Sequence, residues 1–187
     1  MLSVKLRTVP SALMVLLVAV LAAPAFAEIS TSNAEHLRVA DQLADFKRTA
    51  FEMRREADTL KSFTPGKRAH WQSHTYMLNV LKSHVNDMGK ALEEMEALKP
   101  LASEGHKIAI ERSRPHLVSV AQNLRQAINL VQEDRNSIYW GEYGEAVSNI
   151  YAHADALHTK IDTILDYENA RLRFDNLEAD AVSAGGN

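Results

Sequence analysis

The chain has 187 residues, a formal net charge of −3 and no cysteine. The absence of thiols excludes disulfides, thiolate metal sites, thiol catalysis and covalently attached c-type haem. Basic and acidic residues are interspersed rather than blocked, which argues against a nucleic-acid partner.

The N-terminus carries the three parts of a secretory signal peptide. Lys5 and Arg7 give a positive start, Ala12 to Ala23 is an apolar run, and Ala25-Phe26-Ala27 is a small-x-small cleavage box preceded by the helix breaker Pro24. The apolar run is shorter than the ~20 residues of a membrane-spanning helix. Cleavage after Ala27 is therefore expected, rather than retention as an anchor. On this reading 1–27 is a signal peptide and the protein is periplasmic or secreted. Residues 28–182 form one helical domain without a stable membrane span, and 183–187 a flexible tail.

After the leader, proline and glycine mark three breaks. Thr64-Pro65-Gly66 has the form of a helix N-cap followed by proline at the first helical position. Lys99-Pro100 is the second break, and Asn136 through Gly144 the third. The predicted helices run over 33–62, 65–98, 100–135 and 142–181. The first has a loose apolar stripe of Leu37, Ala40, Leu43, Ala50, Ala57 and Leu60, with Phe46 and Phe51 alongside. The second is the most regular: Trp71, His74, Leu78, Leu81, Val85, Met88, Leu92 and Met95 alternate steps of 3 and 4, the seam of a heptad with one polar member. The third places Ile110, Leu117, Ala121, Leu124, Ile128 and Val131 on one register, with Arg114 interrupting it. Pro115 predicts a kink, or a break at which Ser113 caps a fresh start. The fourth has Val147, Ile150, Ala154, Leu157, Ile161 and Ile164, then weakens past Glu168. Period-two alternation is absent, so strands are not expected. The fold class that follows is all-α: an up-down-up-down antiparallel four-helix bundle of long helices.

That topology puts the first and third links at one end. It gathers Phe63, His70, Trp71, Tyr139, Trp140 and Tyr143 there. Trp71, Tyr139, Trp140 and Tyr143 are the candidate partner-binding residues, for an unidentified protein or small molecule; the plainer role is a cap over the end of the core. Histidine supplies a second candidate. His70 and His74 share a helix face at i and i+4, and equal-length hairpins would bring His153, with Asp155, to the same level as a metal or haem site. The same mirror argument places His84 beside His116. A third reading is a homo-oligomer whose register is set by His74 and Arg114 in the seams.

Known metal-binding bundles make specific demands. Di-iron bundles need Glu-x-x-His on two helices, and the chain has none. Hemerythrin-like proteins need a His-x-x-x-Glu, also absent here. No Gly-rich phosphate loop or Gly-x-Ser-x-Gly elbow is present. No cofactor and no catalytic residue is assigned. The sequence thus predicts an exported, non-enzymatic bundle that acts by binding or structural interaction. A metal- or haem-binding bundle using His70, His74 and His153 is the alternative.

Overall fold

The computed structural model describes the backbone over 23–64 and 70–184 and the side chains over 38–64 and 70–181. The signal-peptide segment lies largely outside these residues, as do Pro65 and Gly66 and the end of the C-terminal tail. The chain divides into Met1–Ala34 and Glu35–Asn187, and the bundle belongs to the second unit. The helices are α1 (Ala23–Phe63), of which 35–63 belongs to this unit, α2 (Trp71–Leu98), α3 (Glu104–Glu133) and α4 (Gly141–Ala184). Two short 3-10 turns, Lys99–Leu101 and Arg135–Tyr139, precede α3 and α4. Among the described residues no strand occurs, and no helix is long and apolar enough to cross a membrane.

Cross-helix pairs give the directions. On α1 and α4, Lys47 meets Asp162, Arg54 Nε lies 2.6 Å from Asp155, and Lys61 sits over the Tyr151 ring. Numbers rise on one helix as they fall on the other, so the pair is antiparallel. Gln42 donates to Glu94 across α1 and α2. Arg114 meets Glu96 at 3.2 Å, and Glu111 meets Lys99 at 2.6 Å, across α2 and α3. Gln126 donates to Glu142 across α3 and α4. Four antiparallel neighbours in a ring are the up-down-up-down bundle.

The core follows the heptads, with two shifts of face. On α1 the fully buried positions are Val39, Leu43, Phe46, Ala50, Met53, Ala57 and Leu60. This is a stricter seam than the loose stripe predicted: Phe46 belongs to it, whereas Phe51 is exposed and packs its ring against His158. On α3, Ile110, Leu117, Leu124 and Val131 are buried as expected. The alternate positions are Ser113, Val120 and Ala127, not Arg114, Ala121 and Ile128. Both sets have heptad spacing, and the set turned inward leaves Arg114 free to reach Glu96 at the surface.

The links also differ from expectation. Thr64 does not cap α2; it closes α1, its backbone N–H and its hydroxyl both donating to the Leu60 carbonyl. His70, in extended conformation, precedes α2 and makes no side-chain cap bond. α3 starts at Ser103, whose hydroxyl accepts the His106 backbone N–H at 3.2 Å. Helix α3 then runs through Pro115 as a single element. Ser113 starts no new helix: its buried hydroxyl donates to the Ala109 carbonyl at 2.7 Å. Pro115 supplies no N–H to the Glu111 carbonyl, but both residues are on the exposed face, where water can take that bond.

Candidate functional site

The end of the bundle that joins the first and third links is built by the turn Arg135–Tyr139. Asp134 begins the turn, its carboxylate accepting the Asn136 backbone N–H at 2.8 Å. The Trp140 N–H closes it on the Ser137 carbonyl at 2.8 Å. Ile138 and Ser137 point into the core and are buried. This geometry forces the next two side chains outward: Tyr139 is 56% and Trp140 47% exposed. Phe63, at the end of α1, is exposed as well.

Beside these rings lies an open groove of about 390 Å³. Lys61 and Thr64 line it from α1, and Trp140, Gly144 and Ser148 from the start of α4. A Cβ at Gly141 would meet nothing within 4 Å, and one at Gly144 would meet the Thr64 methyl at 3.8 Å. The absence of side chains there keeps the floor low. The groove therefore combines an aromatic wall, an ammonium group and two hydroxyls, a lining suited to an amphipathic partner.

The other two predicted binding aromatics play interior or half-interior roles. Trp71 is half-buried, and the Arg135 guanidinium covers its ring at 4.2 Å from the centroid, a cation–π contact. Tyr143 is fully buried. Its hydroxyl lies 2.8 Å from His74 Nδ1, so it cannot contact a partner from this position. Burial pushes the Tyr143 phenol up and the His74 imidazole down, and both stay neutral near pH 7. Neither is open to solvent, so the pair locks α2 to α4 rather than exchanging protons with a substrate. Nε2 of His74 has no hydrogen-bond partner among the described residues, and neither has the Ser137 hydroxyl.

The three histidines predicted to converge do not. His70 is exposed at the start of α2, His74 is committed to Tyr143, and the His153 ring packs against His116 with centroids 5.8 Å apart. Asp155 pairs with Arg54. Among the described residues no group of three His, Asp or Glu side chains could hold a metal ion. The reason is register. Equal-length hairpins with tight links would have put His74 level with Asp155. The observed register is offset from that: Gln42 on α1 meets Glu94 on α2, residues 134–140 lie between α3 and α4, and the level of His74 on α4 becomes Tyr143. Ten residues of helix then separate Tyr143 from His153, a rise of about 15 Å. The same effect parts His84 from His116: the turn Lys99–Leu101 sets Lys99 against Glu111, so His116 finds His153 on α4.

A second constellation, which sequence reasoning missed, sits at the opposite end. Glu168 on α4 is 2% exposed and lies over Gly105 in the first turn of α3. Arg171 donates to Glu168 Oε1 at 3.2 Å, while Oε2 is buried without a hydrogen-bond partner among the described residues. A carboxylate at a helix N-terminus is favoured by the helix dipole. Only the lack of a side chain at Gly105 allows this approach. Comparison with known protein families, with curated proteins and with solved structures returns no match.

Proposed function

We propose that the chain is an exported helical-bundle protein of the cell envelope or its surroundings that works by binding, with the groove beside Tyr139 and Trp140 as its binding face. The observation that carries this reading is the exposure of two adjacent large aromatics on a turn whose own backbone bonds hold them outward. Aromatic rings left in water beside a concave surface are typical of recognition sites. The partner suited to the lining is amphipathic: an apolar or ring-shaped part for Trp140 and Tyr139, and an acceptor-rich part for the Lys61 ammonium. Export rests on the leader sequence. Protein from the source cells whose N-terminal residue is Glu28 supports it, and chain retaining 1–27 overturns it.

Tyr139→Ala with Trp140→Ala tests the binding face. About half of each side chain is exposed, so the variant should lose some stability but remain folded, which circular dichroism checks before binding is compared. Proteins and small molecules from envelope extract retained by the parent and by the variant are then compared quantitatively. Loss of one or more retained species supports the face as a binding site. An identical retained set shows the turn to be only a cover for the core.

A further inference from the structure

α4 outruns the bundle. Its last core-facing residue is Glu168, yet the helix continues to Ala184, and every residue from Asn169 to Ala181 is exposed. This extension is not uniformly polar. Tyr167, Ala170, Phe174, Leu177 and Ala181 alternate steps of 3 and 4, the spacing of a coiled-coil seam. Tyr167 is 69%, Phe174 74% and Leu177 65% exposed. At 3.6 residues per turn the new seam is rotated roughly 140° from the Ala154, Leu157, Ile161, Ile164 stripe that faces the core. It thus points away from the bundle to which the helix belongs.

We propose that this extension is a homodimerisation helix, and that the occupant of its apolar face is the same helix of a second copy, aligned in parallel. The charges flanking the seam select that occupant. Asp166 and Arg173 precede successive seam turns, and Arg171 and Glu178 follow them. In a parallel pair each flanking residue before the seam faces the residue five positions later on the partner helix. Asp166 then faces the second copy's Arg171, and Arg173 faces its Glu178, with every pair of opposite sign and each formed twice by symmetry. The seam stacks identical residues, with Phe174 and Leu177 at its centre. Arg171 already holds Glu168, and its several N–H donors can serve both carboxylates. The helix is held at its root by the bundle, so association does not have to nucleate it. His74 and Arg114, the seam residues expected to set an oligomer's register, are engaged within the chain by Tyr143 and Glu96 and take no part.

Two heptads make a short contact, so the dimer dissociates on dilution. Sedimentation of the purified chain at two concentrations differing roughly a hundredfold should show a shift from dimer to monomer. Phe174→Asp with Leu177→Asp should give monomer at both and, because neither side chain supports the core, should match the parent's melting temperature at the lower concentration, where the parent is also monomeric. Arg173→Glu should weaken the dimer, and adding Glu178→Arg should restore it. Because the chain has no cysteine, Ala170→Cys reports orientation directly: parallel helices bring the two thiols together to form an intermolecular disulfide. A parent that is monomeric throughout, or a dimer that survives Phe174→Asp with Leu177→Asp, overturns the proposal. A dimer in which Ala170→Cys does not cross-link overturns the parallel arrangement.

Discussion

His74 Nδ1 lies 2.8 Å from the Tyr143 hydroxyl, and both side chains are closed off from solvent. This contact joins diagonal helices α2 and α4 through two polar groups in an otherwise apolar seam. A neutral histidine has one donor and one acceptor nitrogen. Whichever role Nδ1 takes, Nε2 is left in the core without a partner among the described residues. Removing the hydroxyl strands the second nitrogen as well. Tyr143→Phe should lower stability by about 1–3 kcal/mol in urea unfolding, the usual penalty for a buried polar group that loses its partner. Tyr143→Phe combined with His74→Leu should recover most of that loss, because removing both partners leaves no orphaned group.

The same histidine should make stability depend on pH. Burial lowers the His74 pKa from its ordinary 6.5. Burial, Lys160 and His153 lower that of His116 from the same value. Between the folded and unfolded pKa values the unfolded chain binds more protons, so stability rises with pH through that window. The histidine contribution is complete above the unfolded value of about 6.5 and is lost as pH falls toward the folded values. The melting temperature should therefore drop between about pH 7 and pH 5, and His74→Leu should flatten the slope. At lower pH, protonation of Asp162 and Glu111, whose pKa values are held down by Lys47 and Lys99, adds a further loss.

At the other end of the bundle, an added methyl group at Gly105 would lie 2.8 Å from Glu168 Cδ. Alanine normally improves a helix over glycine by up to about 1 kcal/mol. Gly105→Ala in the parent should lose that benefit, because it displaces the buried carboxylate from the first turn of α3. In a Glu168→Ala background the same change should stabilise by roughly 0.5–1 kcal/mol. A double-mutant cycle by chemical unfolding measures the difference, and additive effects would show that Glu168 does not need the gap.

Gly89 provides the contrasting case. It lies within α2, and a Cβ there would meet nothing within 4 Å. Gly89→Ala should stabilise the protein by about 0.5–1 kcal/mol through the lower backbone entropy of the unfolded chain. A rise in the urea midpoint with an unchanged slope checks this.

Much of the architecture is local and could be read from the chain. The 3-and-4 spacing from Trp71 to Met95 and from Val147 to Ile161 requires helices with one apolar stripe, and the links at Lys99-Pro100 and around Gly141 require that those helices be separate. Four such stripes have few ways to escape water other than a bundle. Tertiary structure decided matters in which a small local difference has distant effects. The register between helices set His74 opposite Tyr143 and left His153 to pack on His116; no periodicity within a helix reports that register. On α3, Val120 and Ala127 faced inward instead of Ala121 and Ile128, because both sets repeat with the same period and only the neighbouring helices choose between them. The approach of Glu168 to Gly105 is of the same kind. A glycine in a helix sequence signals weakness, and only the packed structure shows that here its missing side chain is the space a carboxylate occupies.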